Sequence, residues 1–474
     1  MSSRSRGTAN SASAIDRRQF IRSTAGALAL SGVGLPEAAR GAERTSRPNV
    51  LLIITDQQHM DTIRAGGCRH TKTPALDWLH RRGVSFAQSY SANPVCSPAR
   101  SSIFTGRPTV ETEVCVNGRH IRSGIPNIGE WFARNTDYER VYSGKWHLPR
   151  THQSTIEGFR VLPTGIGGQG NIGDTCTSRA CEAFLRNRSG DRPFLLVASF
   201  MQPHDICEWL RLNMNNPGRL PYAELADELP PLPENFEYDR REPQHVRDTR
   251  QKNEPAKGGW DQRHWRYYRW SYYRHVEMVD GEIGRILRGL QEAGADEDTL
   301  IVLTVDHGEG MGHHQTVRKS RAYDEAARVP LLVSWPGQIR KNKTDAGHLV
   351  TGMDIMPTLC DYAGIEPPPD VRGASLRPLL EGGPARWRGH IVTEVPGGRG
   401  RAVRTERYKY VAYDEDPMEQ LFDMRDDPGE TRNLAADGTH ASMVEEHKRL
   451  LVEWERQLDP APKAHGLEAW WRTA

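Results

Sequence analysis

The sequence has no long apolar run, no excess of charge of either sign, no internal repeat and few cysteines, and each shortage removes a class of protein. Of its 474 residues, 37% are hydrophobic, yet no apolar run approaches the roughly 20 residues that cross a bilayer as a helix. No membrane span is therefore expected. Lys and Arg number 63 against 61 Asp and Glu, a formal charge of +2, so nothing argues for nucleic acid as a partner despite a sequence pI near 8.1. Any attraction for anions has to be local. The cysteines, Cys68, Cys96, Cys115, Cys176, Cys181, Cys207 and Cys360, contain no C-x-x-C pair, which excludes zinc-knuckle and thioredoxin-like readings. Cys176 and Cys181 are near enough in sequence to bridge, with buried free thiols as the alternative. What is present, 26% charged residues with 12 Trp and 14 Tyr, suits a globular chain with a sizeable core.

The first forty or so residues read as an address. Arg4 and Arg6 precede Asp16-Arg17-Arg18-Gln19-Phe20-Ile21-Arg22, followed by an apolar stretch from Ala25 to Leu35 and a small-residue region from Ala38 to Ala42. This resembles a twin-arginine signal. Residues 1–42 are expected to be removed on export, leaving the protein in the periplasm or outside the cell.

Beyond Asn49, short runs rich in Val, Ile and Leu alternate with helical segments: Val50 to Thr55, Arg140 to Ser143, Pro193 to Phe200, Thr299 to Val305 and Leu331 to Trp335. The pattern predicts an α/β domain over 49–380, a mainly parallel sheet sandwiched by helices. The polar, proline-rich stretch from Pro217 to Gly259 reads as part of an insertion over about 205–265, followed by a long helix from about Arg266 to Ala293. After Leu380 the character changes. His390 to Glu394, Ala402 to Tyr413 and Gln420 to Asp423 read as antiparallel strands and Ala441 to Leu458 as a closing helix, so a smaller α+β unit with a short antiparallel sheet is expected over 381–474.

In an open parallel sheet, ligands gather at the carboxyl ends of the strands. The first run ends in Thr55-Asp56-Gln57-Gln58 and the fourth in Asp306-His307-Gly308-Glu309. Two carboxylates and an amide oxygen brought together by neighbouring strands suit a hard divalent cation. Taken singly, each cluster reads equally well as a helix cap or turn.

The segment Cys96-Ser97-Pro98-Ala99-Arg100, continued by Ser101-Ser102-Ile103-Phe104-Thr105-Gly106-Arg107, resembles the signature of the formylglycine sulfatases, in which the cysteine is oxidised to an aldehyde by a formylglycine-forming enzyme. Gly144-Lys145-Trp146-His147, Gln202-Pro203-His204, Lys319 with Tyr323 and Arg328-Val329-Pro330, Asp354 to Leu359, and Asp427 to Leu434 resemble further family elements in the same order. The resemblance implies an alkaline-phosphatase-like fold and a sulfatase. It casts Cys96, as formylglycine, as the nucleophile. Arg100, Lys145 and Lys319 become cations holding the sulfuryl oxygens, His147 the partner of the hydrated aldehyde, and His204, with Lys319, the donor to the leaving oxygen. One cation, calcium by family expectation with magnesium or manganese as alternatives, would be held by Asp56, Gln57, Asp306, His307 and residue 96. An aldehyde hydrates to a geminal diol, one hydroxyl of which attacks sulfur while the other drives the second step.

Gln57 stands where many members carry a second aspartate, which removes one negative charge from the cation site. It is compatible with relatives that cleave phosphonate monoesters or phosphodiesters, the nearest alternative activity. A non-catalytic protein that binds sulfated glycans is the alternative of a different class. Trp209, Trp260, Trp265, Tyr267, Tyr268, Trp270, Tyr272 and Tyr273, interleaved with Arg266, Arg269 and Arg274, suggest stacking on a sulfated saccharide. At helical spacing they also suit a core.

Overall fold

The computed structural model describes residues 47–162, 164, 169–213, 223–253, 260–414 and 416–459. The expected export segment and part of the expected insertion lie outside the described residues. Eight strands form the main sheet: β1 (Asn49–Asp56), β2 (Val84–Phe86), β4 (Glu139–Gly144), β5 (Arg160–Val161), β6 (Phe194–Pro203), β7 (Thr299–Val305), β8 (Leu331–Ser334) and β9 (Lys343–Asp345). A two-stranded pair, β3 (Ser89–Tyr90) with β10 (Val350–Thr351), stands apart from it. The order across the main sheet is β5-β4-β6-β1-β7-β8-β2-β9. From β5 to β7 every pairing is parallel, and β8 runs antiparallel to both β7 and β2.

The apolar runs are continuous because both faces of the sheet are covered. Val50, Leu52 and Ile54 of β1 pack with Ile103, Phe104, Phe132 and Leu359 on one side. Leu51 and Ile53 pack with Leu79, Leu185, Ile283 and Leu290 on the other. Helices Cys96–Thr105, Ile128–Asn135 and Ile355–Ala363 thus form one outer layer, and Pro74–Arg82, Gly170–Asn187 and Gln262–Glu292 the other. The last of these starts where Asp261 accepts a bond from His264 N at 2.9 Å, a side-chain cap.

The C-terminal strands are β11 (His390–Val395), β12 (Gly400–Thr405), β13 (Tyr408–Tyr413) and β14 (Gln420–Asp423), an antiparallel meander. The single run expected from Ala402 to Tyr413 is a hairpin, turned at Glu406 and Arg407. One face of the meander packs on helix Ala441–Arg456 through Val444 and Leu451. The other packs Val395, Val411 and Phe422 against Ala322 and Tyr323, just beyond Lys319. The main sheet and the meander belong to one compact unit that begins at Arg47, and the change of character near residue 381 coincides with the change from one sheet to the other. All seven cysteines are free; Cys176 and Cys181 form no bridge. Among the described residues no helix is long and apolar enough to cross a membrane.

Candidate active site

Strands β4, β6, β1 and β7 are neighbours and run parallel, so their carboxyl ends open on one edge of the sheet. There they deliver Lys145, His204, Asp56 with Gln57, and Asp306 with His307. Helix Cys96–Thr105 points its first residue into the same place. Pro98 lies in its first turn, where the missing N–H costs nothing, and Gly106 ends it at φ 68°, its N–H bonded to Ser102 O at 2.8 Å. The Thr-Gly-Arg extension is thus the helix stop. The Asn117 side chain reaches in to accept from Ser97 N at 2.9 Å, satisfying a donor that the helix itself leaves open.

Asp56, Cys96, Asp306 and His307 each turn one donor atom toward a common point, and these four atoms lie within 4.8 Å of one another, all buried. Cys96 Sγ is 3.1 Å from His307 Nε2 and 3.9 Å from Asp56 Oδ1; it marks where an oxygen of formylglycine would stand. His307 Nδ1 lies 2.9 Å from Gly308 O. That contact places a proton on Nδ1 and turns Nε2 toward the cluster, where the neutral ring has a lone pair for a cation. Two carboxylates and an imidazole so arranged fit a divalent cation. Burial and the neighbouring Asp56 push Asp306 up to about 7. Burial also opposes the charge on Asp56, but Lys145, Arg100 and Lys319 outweigh it and hold this carboxyl well below the usual range.

Three cations surround the cluster, in different roles. Lys145 Nζ is 2.5 Å from Asp56 Oδ2. Gly144, at φ 99°, makes that turn possible: a Cβ there would come within 1.9 Å of Ser199 O. Lys319 Nζ is 3.2 Å from Cys96 Sγ and 2.5 Å from Gln57 Oε1. Burial and Asp56 push the Cys96 thiol up, but Lys145, Lys319 and His307 together hold it well below the usual thiol range.

Arg100, expected to hold the sulfuryl oxygens, makes four hydrogen bonds within the protein. Its Nε donates to Asp306 Oδ2 at 2.9 Å, Nη2 to Asp56 Oδ2 at 3.1 Å, and Nη1 to Lys145 O at 3.0 Å and Ser199 Oγ at 2.8 Å. It is fully buried. Every nitrogen of the fork is engaged by the protein, and Arg100 bridges the two carboxylates.

Gln57, expected among the ligands, lies beside the cluster in the left-handed region at φ 63°. Its Oε1 accepts from Lys319 and its Nε2 donates to Glu309 at 2.5 Å. His147, also left-handed at φ 61°, accepts a bond from Ser97 Oγ at its carbonyl and keeps a buried Nδ1 without a protein partner. His204 Nδ1 is likewise buried and unpartnered. Burial and adjacent Lys319 push His204 down to about 3, so in the free enzyme it is neutral near pH 7. Lys319 carries the positive charge there; burial disfavours it, but Cys96, Cys207 and two aspartates raise it.

Five of the eight aromatic residues, Trp265, Tyr267, Tyr268, Tyr272 and Tyr273, are buried. Trp265, Tyr268, Tyr272 and Tyr273 are buried with Ile206, Leu210 and Val276, and Trp209 packs against Trp260, Tyr267 and Tyr268. Trp270 stacks on Tyr267 at 5.9 Å. Arg266 and Arg269 spend donors on the carbonyls of Leu229, Pro230 and Met311, and Arg274 bonds His70 O and Glu277. Trp209, Trp260 and Trp270 remain partly exposed at the edge of this cluster. Two tyrosines brace the site from beneath: Tyr272 donates to Gln57 O at 2.6 Å, and Tyr268 bonds Glu309. Glu309, Ser199 and Asn117 are site residues that sequence reasoning missed. Glu309 alone carried a signal, three positions after Asp306.

Comparison with known proteins agrees with this geometry. The family described as Sulfatase matches residues 48–365, and the one described as N-sulphoglucosamine sulphohydrolase, C-terminal, matches 312–457. A Delta 4,5-hexuronate-2-O-sulfatase from Bacteroides thetaiotaomicron is 30% identical over 89% of this chain and 92% of its own. A solved structure of a 2-O GAG sulfatase superposes with a TM-score of 0.77 at 28% identity, over 87% of this chain and 93% of the other. The phosphonate monoester hydrolase of Agrobacterium radiobacter superposes at 0.72 with 26% identity, over 88% and 97%. With the family matched over 48–365 and a 30% identical relative spanning most of both chains, the chain belongs to the sulfatase family, in the alkaline-phosphatase-like superfamily, and is a sulfuric ester hydrolase.

Proposed function

We propose that this enzyme removes sulfate from a sulfated saccharide, using residue 96 as formylglycine and one divalent cation held by Asp56, Asp306, His307 and residue 96, with Gln57 Oε1 beside them. The observation that carries the reading is the convergence of four donor atoms within 4.8 Å against Lys319, 3.2 Å from Cys96 Sγ. A cation bound there, with calcium the expected ion, supplies Lewis-acid stabilisation of negative oxygen. Formylglycine supplies, when hydrated, an oxygen nucleophile where Sγ now stands.

The chain's own groups do the rest. Lys319 faces the reacting position and offsets the charge that builds on the sulfuryl oxygens. Lys145 and Arg100 hold Asp56 ionised, and Arg100 keeps Asp56 and Asp306 in place. His147 Nδ1 is free to take or return a proton beside residue 96. His204, neutral in the free enzyme, gains basicity when an anionic sulfate offsets Lys319, and the two together supply the proton to the leaving oxygen. The sugar component rests on the activities of the relatives, since five of the eight aromatic residues that suggested it are buried. Export through the twin-arginine route belongs to this reading and rests on Arg17-Arg18. Replacing both with lysine is expected to strand the precursor in the cytoplasm.

The test is a panel of sulfated saccharides, a phosphodiester and a phosphonate monoester, with metal analysis of the purified protein and of Asp306→Ala. A saccharide sulfate should have the highest kcat/KM, and Asp306→Ala should lose the metal. Preference for the phosphonate would favour the second reading, which neutral Gln57 and the hydrolase superposing at 0.72 support. A stoichiometric metal retained in Asp306→Ala would remove the cation site.

A further inference from the structure

Glu309 is fully buried, sits at the back of the site and has no part in the chemistry above. Its Oε1 accepts from Tyr268 OH, Arg318 N and, at 3.4 Å, Met311 N. Its Oε2 accepts from Gln57 Nε2 at 2.5 Å. An ionised carboxylate only accepts hydrogen bonds, and an ammonium only donates them. Gln57 lies between one of each: Glu309 on its nitrogen and Lys319, 2.5 Å away, on its oxygen. The two partners admit a single orientation of the amide. Tyr272 fixes the backbone to match, donating to Gln57 O at 2.6 Å and accepting from His59 N at 2.8 Å, which holds the residue at φ 63°.

We propose that Glu309 is a positioning residue that locks the Gln57 side chain with its oxygen toward the cation site, making a neutral amide serve where a carboxylate would carry charge. The carboxylate pulls on the amide N–H and shifts electron density onto Oε1, which strengthens it as a hard oxygen donor. The negative charge missing at position 57 is supplied one hydrogen bond further out. Without Glu309 only Lys319 opposes turning the amide nitrogen, which cannot ligate, toward the cation. This inference rests on the cation reading above and adds to it the origin of the orientation of the Gln57 amide beside the cation.

The experiment measures calcium affinity by calorimetry on full-length protein with residue 96 left as cysteine, so that turnover plays no part, alongside Tm of the metal-free protein. Glu309→Gln, nearly isosteric, is expected to weaken calcium binding on the order of 10- to 100-fold. Adding Gln57→Glu to it is expected to recover affinity to within a few-fold. The pair is then exchanged: the amide at 309 donates to a carboxylate at 57, whose other oxygen faces the cation. A merely structural Glu309 would change Tm and not show that recovery. Unchanged affinity in Glu309→Gln, or no recovery in the double variant, would overturn the proposal. Absence of calcium binding by the unmutated protein would remove the cation reading itself, and with it this inference.

Discussion

Sγ of Cys96 stands 3.1 Å from Nε2 of His307, which places the side chain of residue 96 inside a set of cation donors and not in an ordinary thiol pocket. Protein made in a host with the formylglycine-forming enzyme is expected to carry an aldehyde at residue 96, read by peptide mass spectrometry. Cys96→Ala should fall to background turnover. Its far-UV spectrum and Tm should stay near those of the unmutated protein, because only the small Sγ is lost from a preformed site. Active enzyme containing only unmodified thiol would refute the mechanism.

Arg100→Lys isolates the bracing role. A lysine cannot reproduce a fork that reaches Asp306, Asp56, Ser199 and the Lys145 carbonyl at once. The carboxylates should then lose their relative orientation, with metal affinity and kcat/KM falling on the order of 10- to 100-fold. Were Arg100 a substrate clamp, KM would rise while metal affinity stayed fixed, so titrating both separates the two roles.

The sequence was most legible where burial writes it directly. β1, β6 and β7 lie inside the sheet, and their unbroken apolar runs and polar ends follow from being covered on both faces. β5 and the pair β3–β10 have two residues per strand, too few to show any period. The placement of Asp56, Asp306 and His307 followed from the strand-end rule. The role of Arg100 did not, because the neighbours of a helix side chain depend on what lies across the layer. The aromatic residues between 260 and 273 illustrate the same limit: their spacing fits a core and a sugar platform alike, and only the contacts with Ile206, Leu210 and Val276 place Trp265, Tyr268, Tyr272 and Tyr273 in the core.

A buried pair away from the reacting centre gives a pH dependence of stability. His314 Nδ1 is 3.0 Å from Glu325 Oε1, with side chains 1% and 4% exposed. Burial favours the neutral acid, but His314 outweighs it and holds Glu325 down to about 2 from 4.5. Burial also opposes the charge on His314, yet Glu325 raises it above 6.5. Glu325 therefore adds stability above pH 4.5, lost as pH falls toward 2. His314 adds stability below 6.5, lost as pH rises through its higher folded value. Glu325→Gln should cost about 2 kcal/mol. The difference in Tm should be largest between 4.5 and 6.5 and narrow on either side. A difference independent of pH would mean that the pair is not ionic.

The last prediction concerns the leaving group. An activated aryl alcohol departs as a stable anion and needs little protonation, whereas a sugar alkoxide needs a proton in the transition state. His204, with a buried and unpartnered Nδ1, and Lys319, which together with burial pushes it down to about 3, form the pair placed to supply that proton. His204→Ala should cost on the order of 10² to 10⁴ in kcat on a saccharide sulfate and distinctly less on an aryl sulfate. Removing Lys319 takes away both the proton source and a charge facing the sulfuryl oxygens, so Lys319→Ala should slow both substrates. If His204→Ala slowed the two equally, its role would be to bind the substrate and not to donate the proton. If Lys319→Ala spared the aryl sulfate, Lys319 would serve only the leaving oxygen, and stabilisation of the sulfuryl charge would fall to the cation site alone.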